Sequence, residues 1–277
     1  MKLLSSLTLL IVFFVCLDFH VQAQSSPNAY HPKHHFSDWS VANAHSHNDY
    51  QQNLPFTAAY AAQFGSMEAD IFFVRDSIFV GHEEEDILRH LMLTALYLDS
   101  LKYYIKKNGG FPYKDKSRQL QLLVDLKTEG IPTLAALIKL LKSYPELTDC
   151  KALSIVITGN KPPVDTWSTY PSFIYFDGNY NETYPRQLLP KIGMISGDLE
   201  DVIKWDGNGT INAADSAILA ETIHRAHGMG KKIRFWDSPD FPNAWTQLIK
   251  AGVDWINTDH IPELASFLSN GKSQKVR

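Results

Sequence analysis

Eight short runs rich in β-forming residues alternate with helical patterns along this chain, and this alternation restricts its fold more than any other feature. The runs occupy residues 41–45, 67–71, 120–126, 154–158, 173–176, 193–195, 232–236 and 254–257. Strands that alternate with helices form parallel sheets, and eight such units in roughly 250 residues are typical of a closed (β/α)8 barrel of the TIM type. We therefore predict a single α/β barrel over residues 39–270.

The length and composition agree with one large folded domain. The 277 residues are 44% hydrophobic and 20% charged, which supplies a full core and excludes a disordered or coiled-coil chain. The 26 basic and 30 acidic residues give a net charge of −4, so the overall charge does not attract nucleic acid. We expect a small-molecule partner, and the sequence leaves the oligomeric state open.

Helical patterns fill most of the connections between the runs. Helices are predicted over residues 55–65, 132–144, 212–227 and 262–268 from their apolar spacing and their start and stop residues. The segment 87–118 is too long for a simple connection. It predicts a helix and a short insertion over the barrel mouth, after the second strand.

The first 23 residues have the pattern of a cleaved export signal. Lys2 precedes an apolar run, and the small Ala23 stands at the position preferred for cleavage. Asp18 cuts the run short of the ~20 apolar residues that a retained anchor needs, so no stable membrane anchor is expected after cleavage. We predict a signal peptide over residues 1–23, a flexible lead-in over 24–38 and a polar tail over 271–277.

Cysteine content bears on the expected compartment. Once the signal is removed, only Cys150 is left, so the chain can form no internal disulfide. An exported protein without disulfides fits a bacterial periplasm better than a eukaryotic secretory pathway. The predicted location is therefore periplasmic or secreted.

Polar residues stand at or just after the C-terminal ends of the predicted strands, where (β/α)8 barrels carry their active sites. Residues i and i+2 of a strand share a face, so pairs with this spacing project to one side. Such pairs are His45 with His47, Glu68 with Asp70, Asp125 with Lys127, and Arg234 with Trp236. We expect these side chains to meet at one mouth, with Trp236 in contact with substrate.

Glu68 and Asp70 interrupt an otherwise apolar run, so both carboxylates are expected to be buried. Burying two negative charges is costly unless something positive holds them. Together with Asp125 on the neighbouring strand they offer the hard oxygen ligands that Mg²⁺ and Ca²⁺ prefer. The other candidate positive partners are Lys127 and Arg234.

Two histidines near strand ends are candidates for acid and base. Imidazole titrates near neutral pH, which suits it to both roles. His45 ends the first run, and His82 follows a short excursion that returns the chain to the rim beside Asp70.

An ordered series of short motifs resembles the glycerophosphodiester phosphodiesterase and phosphatidylinositol-specific phospholipase C-like barrels. The series comprises Ala44-His45, Gln52-Asn53, Gly65, Glu68-Ala69-Asp70, Gly81-His82 and residues 252–259. Residues 45–50, 80–82, 97–99 and 233–236 further resemble a subgroup with the fungal "altered inheritance of mitochondria" proteins and exported bacterial relatives.

This resemblance implies a metal-dependent phosphodiesterase on a TIM-type barrel. In such enzymes the first His and the His after the second strand are acid and base, which correspond to His45 and His82. The carboxylates that hold Mg²⁺ or Ca²⁺ correspond to Glu68, Asp70 and Asp125, and the Lys that contacts phosphate corresponds to Lys127. The implied substrate is a glycerophosphodiester or a related lipid-derived diester.

One position departs from the main family. Where that family has His-Arg-Gly, this chain has His45-Ser46-His47. The phosphate-binding Arg is therefore absent, and we expect Arg234 or His47 to take its place.

Two other interpretations stay open at this point. A non-enzymatic or divergent barrel could use the same residues to bind a phosphorylated ligand, since fold alone does not decide function. A zinc amidohydrolase would suit His45, His47 and Asp259, but it also needs histidines on the fifth and sixth strands. No His occurs between His90 and His224, which disfavours that class.

Overall fold

The computed structural model describes residues 38–273, with side chains to residue 270. A nine-stranded sheet forms the centre of this part of the chain. The predicted signal peptide and the lead-in up to residue 37 lie outside the described residues. The last helix continues to Ser273, so the first residues of the predicted polar tail extend that helix. In the described part, no helix is long and apolar enough to cross a membrane.

Eight of the strands form a nearly closed parallel barrel, which confirms the predicted fold class. The strands are β1 Ala44–Ser46, β2 Ser66–Val74, β3 Ser77–Val80, β4 Leu120–Leu126, β5 Leu153–Gly159, β6 Ile174–Asn179, β7 Ile192–Asp198, β8 Ile233–Trp236 and β9 Ile256–Thr258. The barrel order is β8-β7-β6-β5-β4-β2-β1-β9, and β3 pairs antiparallel with β2 as a hairpin. Every predicted run overlaps one barrel strand.

The barrel closes between β8 and β9 through few backbone contacts. Arg234 and Trp255 form an isolated parallel bridge. The N–H groups of Asp254 and Trp255 both donate to the carbonyl of Ile233 at 3.1 Å. The closing seam is therefore shorter than the ladders between the other neighbouring strands.

Helices cover the outside of the barrel. They are α1 Thr57–Ala61, α2 Asp99–Lys107, α3 Gly130–Leu141, α4 Pro145–Thr148, α5 Leu199–Val202, α6 Ala213–Gly228, α7 Pro242–Ala251 and α8 Ile261–Ser273. In α3, Leu134, Leu137 and Leu141 recur at helical spacing and are buried against the sheet. α1 is shorter than predicted because Phe56 and Gln63, on either side of it, both take positive φ.

The barrel interior contains a second, small apolar cluster, separate from the main core under the helices. Leu123, Val156, Met194 and Trp255 form this cluster, and we call it the interior apolar layer. Polar side chains lie on either side of it along the barrel axis, as described below.

The long segment after β2 divides between the two ends of the barrel. The β2–β3 hairpin carries His82 to the C-terminal mouth, where the Gly81 N–H donates to the Asp70 carbonyl. The end of the segment lies at the opposite side, because the chain must return to the start of β4. There Tyr113 donates to the Phe64 carbonyl. The last part of the segment therefore returns to the opposite end of the barrel, and the predicted short insertion over the mouth stays a prediction.

Candidate active site

A cavity of about 480 Å³ opens at the C-terminal ends of the barrel strands. Eight of the nine predicted site residues line it, and His45 is the exception. The eight are His47, Glu68, Asp70, His82, Asp125, Lys127, Arg234 and Trp236. A larger groove of about 840 Å³ lies outside the barrel against α3, and none of the predicted site residues lines it.

Three carboxylates converge on one side of this cavity. Glu68 and Asp70 share a face of β2, and the strand register sets Asp125 of β4 beside Asp70. One oxygen from each carboxylate lies within 4.8 Å of the other two. Oδ1 of Asp70 is buried without a hydrogen-bond partner, which is costly for a carboxylate unless a cation completes the site. The donor set therefore fits a divalent metal ion with oxygen ligands.

Lys127 lies between two of these carboxylates. Its Nζ is 2.8 Å from Oδ2 of Asp70 and 3.2 Å from Oδ2 of Asp125. Burial and the charges of Glu68 and Asp125 raise the pKa of Asp70 to about 6, although Lys127 opposes the rise. Burial lowers the pKa of Lys127, but the two carboxylates outweigh it, so the net shift is upward. The ammonium group is therefore charged at neutral pH and available to a phosphate.

Glu68 is held by groups from two other strands. Its Oε2 accepts a hydrogen bond from Nη2 of Arg234 at 3.3 Å and lies 3.2 Å from Nε2 of His45. Burial raises the pKa of Glu68, but Arg234 and the His45 hydrogen bond outweigh it, and its pKa lies well below the usual range. Arg234 also donates from Nε to Oδ1 of Asn257 at 2.9 Å. Arg234 therefore both lines the cavity and balances a buried charge.

His45 lies beneath the cavity. Its side chain has no exposed surface, and its Nδ1 is 2.7 Å from Oγ of Ser66. Burial and the charge of Arg234 lower the pKa of His45 to about 3, so the ring is neutral at neutral pH. Both ring nitrogens are engaged, the second with Glu68. The predicted acid or base role of His45 stays a prediction, and its observed ring contacts are with Ser66 and Glu68.

His47 lies one layer higher and lines the cavity. Its Nδ1 is 3.0 Å from Oδ1 of Asp259 at the end of β9. Burial lowers the pKa of His47, but the hydrogen bond to Asp259 and the charges of Glu68 and Asp259 together outweigh it, so the net shift is upward from 6.5. This contact engages Nδ1 and leaves Nε2 as the nitrogen for other partners.

His82 approaches from the hairpin side and is half-exposed. Its Nδ1 lies 3.2 Å from the hydroxyl of Tyr50 and 3.4 Å from Oδ2 of Asp70. The same hydroxyl donates to Oδ2 of Asp70 at 2.8 Å. Tyr50 therefore connects the predicted metal site with the second histidine. Sequence reasoning did not assign Tyr50 to the site, although it ends the string 45–50 that carries the family resemblance.

The far wall of the cavity contains a further buried carboxylate. Oδ2 of Asp177 accepts hydrogen bonds from Thr158 and Ser196, whereas its Oδ1 has no partner. Burial raises the pKa of Asp177. The sequence pattern could not separate Asp177 from an ordinary turn residue, because only the fold shows that it is buried beside the cavity. Trp236 closes the rim nearby and is 42% exposed.

Comparison with known families agrees with this geometry. Residues 34–162 match the AIM6-like phosphodiesterase domain, which spans β1 to β5 and therefore the three carboxylates and His82. Residues 232–262 match the glycerophosphoryl diester phosphodiesterase family, which spans β8 and β9 and therefore Arg234 and Asp259. These two matches confirm the resemblance of the chain to the AIM6-like subgroup of the glycerophosphodiester phosphodiesterase superfamily.

Individual relatives agree with this resemblance. The "altered inheritance of mitochondria protein 6 homolog" of Arthroderma benhamiae is 25% identical over 253 residues, which cover 78% of this chain and 81% of the relative. "Altered inheritance of mitochondria protein 6" of Kluyveromyces lactis is also 25% identical, with 82% of this chain and 72% of the relative covered.

A solved structure supports the fold. The crystal structure of a glycerophosphodiester phosphodiesterase from Parabacteroides distasonis superposes with a TM-score of 0.52 at 13% identity. The superposition covers 85% of this chain and 98% of that one. The chain therefore shares its barrel architecture with that structure.

Proposed function

We propose that this protein is a metal-dependent phosphoric diester hydrolase that acts on a glycerophosphodiester or a related lipid-derived diester. The observation that carries the proposal is the convergence of Glu68, Asp70 and Asp125 at the mouth, with an unpartnered Asp70 oxygen and Lys127 beside it. These carboxylates would hold Mg²⁺ or Ca²⁺. When bound, the cation supplies positive charge to the phosphate oxygens as they become more negative.

Two basic side chains of the chain itself share that electrostatic task. The transition state of phosphodiester cleavage carries extra negative charge on the phosphate oxygens, and fixed cations stabilise it. Lys127 and Arg234 both line the cavity. Arg234 comes from the opposite side of the barrel, and this placement supports it as the replacement for the missing family Arg.

Proton transfer is assigned to His47 and His82, the histidines that line the cavity. Asp259 holds Nδ1 of His47, so Nε2 would take the proton from the attacking water or a neighbouring substrate hydroxyl. The freed oxygen attacks phosphorus, the ester bond breaks, and His82 would give a proton to the leaving alkoxide. The buried contacts of His45 support a role in orienting Glu68, and in this proposal His47 takes the part that the resemblance gives to His45.

A panel of phosphodiesters tests the proposal, with purified protein assayed with and without chelator and with Mg²⁺ or Ca²⁺ restored. We expect turnover that chelation abolishes and one of the metals restores. Asp125→Asn should abolish it, whereas the exposed Asp165→Asn, with the same change in charge, should leave it unchanged. Binding of phosphorylated ligands without turnover of any diester would instead favour the non-enzymatic barrel.

The location is a separate part of the proposal. We propose export with cleavage of residues 1–23, which the sequence pattern supports. N-terminal sequencing of protein recovered from the periplasm or medium should begin at Gln24. An intact N-terminus on cytoplasmic protein would contradict this.

A further inference from the structure

A second polar cavity lies at the opposite end of the barrel from the candidate active site. It measures about 340 Å³ and is lined by residues at the N-terminal ends of the barrel strands. Gly65, Leu120, Ser154 and Gly193 mark the starts of four strands there, and Trp255 of the interior apolar layer also lines it. We call it the N-terminal cavity. Nothing in the proposed hydrolase mechanism uses it.

The side chains around this cavity are cationic. Arg118, Lys231 and Lys232 line it, and no carboxylate does. Nζ of Lys232 lies 4.2 Å from the centre of the Trp255 ring, a cation–π arrangement that holds the ammonium group at the opening. Burial lowers the pKa of Lys232, and the nearby Asp254 opposes this shift. Oδ2 of Asp254 is already bonded to the His227 ring and the Ile233 N–H. Three positive charges therefore face one opening without an anionic partner among its lining residues.

Buried donors without partners give an independent indication. Nε of Arg118 and Nε1 of Trp255 are both buried without a hydrogen-bond partner, and both residues line this cavity. Trp255 is 95% buried as a residue, since only 5% of it is exposed. A buried donor without a partner destabilises the folded protein. An anion that accepted from these groups would recover part of that cost.

We propose that the N-terminal cavity binds a phosphate group, presented as inorganic phosphate or as a small phosphomonoester. A phosphate offers several acceptor oxygens and up to two negative charges, which suit Arg and Lys side chains together with N–H donors. The volume admits a phosphate with a small organic substituent. This site is independent of the proposed hydrolase function and would exist whether or not the mouth is catalytic.

Titration calorimetry with inorganic phosphate tests the site in metal-free protein carrying Lys127→Ala, so that the mouth contributes little. Sodium chloride keeps the ionic strength constant. Adding Lys231→Ala and Lys232→Ala should weaken phosphate binding at least tenfold, which is about 1.4 kcal/mol. The matched control adds Lys142→Ala and Lys250→Ala, two exposed lysines on the outer surface with the same change in charge, and should bind like the parent.

Trp255→Phe provides a second variant, because it removes the N–H donor and keeps an aromatic ring, although the phenyl ring is smaller than the indole. We expect a several-fold weaker affinity for phosphate and a cooperative thermal transition that shows the fold is kept. A parallel titration with glycerol phosphate distinguishes inorganic phosphate from a phosphomonoester as the ligand. Tighter binding of glycerol phosphate than of inorganic phosphate identifies a monoester, and equal affinity means that the site recognises the phosphate group alone. No binding in the Lys127→Ala parent, or equal binding in both lysine double variants, would overturn the proposal.

Discussion

The two ends of the barrel interior contain buried polar atoms of opposite kind. At the C-terminal mouth, the atoms without partners are acceptors, the Oδ1 atoms of Asp70 and Asp177. At the N-terminal cavity they are donors, on Arg118 and Trp255. The interior apolar layer separates the two ends. One barrel therefore offers a cation site and an anion site along the same axis, and each end is incomplete without a ligand of opposite charge.

The ends also differ in how deeply their charges are buried. Glu68 and Arg234 at the mouth are 5% and 3% exposed, so each depends on the other for a counter-charge. Lys232 at the N-terminal end keeps exposed surface, although partial burial lowers its pKa. Charge changes at the mouth should therefore affect both folding and activity, whereas those at the N-terminal end should affect binding alone. The predictions below test this difference, from the largest expected effect to the smallest.

Among the predictions that follow, removing either histidine of the mouth should have the largest effect. His47→Gln and His82→Gln should each lower kcat by roughly 10²–10⁴-fold, the usual contribution of a positioned proton-transfer group. Lys232→Gln at the other end should stay within about twofold of the parent, since it contacts nothing at the mouth. Steady-state kinetics on the preferred diester measures both.

A nitrophenyl diester sharpens this test. Its leaving group needs no proton, so it should rescue His82→Gln and leave His47→Gln slow. If His47→Gln is fully active and His45→Gln is inactive, then His45 and not His47 is the base.

Breaking the buried ion pair should be the next largest effect. Arg234→Met leaves Glu68 without its counter-charge inside the barrel and should lower the free energy of unfolding by roughly 3–5 kcal/mol. Lys232→Met should change it by less than about 0.5 kcal/mol. Urea denaturation followed by circular dichroism compares the two. If both variants lose the same free energy of unfolding, then the charges at the two ends of the barrel do not differ in their contribution to stability.

Metal binding should stabilise the mouth by an intermediate amount. At a free metal concentration of about 100 times Kd, the gain is about 2.7 kcal/mol, which is roughly 5–10 °C in Tm for a domain of this size. Asp125→Asn should lose this gain and Asp165→Asn should keep it, as differential scanning fluorimetry can show. Phosphate stabilisation should persist in Asp125→Asn, and its loss there would mean that phosphate binds at the mouth.

The smallest predicted effect is a shift in pH dependence. Asp259 and the charge of Glu68 together raise the pKa of His47 above 6.5. The stabilisation from these contacts is therefore fully present below pH 6.5 and is lost as pH rises through the folded pKa. As a base His47 must be neutral, so kcat should rise with pH through that same pKa. Asp259→Asn weakens the cause of the rise and should move this acidic limb to lower pH. If the acidic side of the kcat–pH profile does not move in Asp259→Asn, then Asp259 does not control the group that titrates there.

Much of the barrel and its metal-site carboxylates could be predicted from sequence because both follow from strand periodicity. The spacing of Glu68 and Asp70 fixed their common face, and the parallel register then set Asp125 beside them. The depth of a residue inside the barrel does not follow from periodicity. His45 and His47 were expected on one face of the strand. In the structure, His45 is fully buried below Glu68, whereas His47 lines the cavity.

The N-terminal cavity shows the other limit of sequence reasoning. Arg118 comes from the segment before β4, whereas Lys231 and Lys232 precede β8. Basic residues before a strand are ordinary surface residues in a single sequence, and only barrel closure brings them together. Asp177 and Tyr50 were not predicted as site residues for a related reason. Whether a residue is buried beside a cavity depends on neighbours that are distant in the chain.

The short seam between β8 and β9 has a consequence for how the barrel opens in solution. Because few backbone hydrogen bonds join these strands, amide protons along them should exchange with deuterium earlier than those of β4 and β5. The side-chain bond between Arg234 and Asn257 crosses this seam. Substrate that engaged Arg234 would therefore slow exchange in both strands. Mass spectrometry of the corresponding peptides could then report occupancy of the mouth without any measurement of turnover.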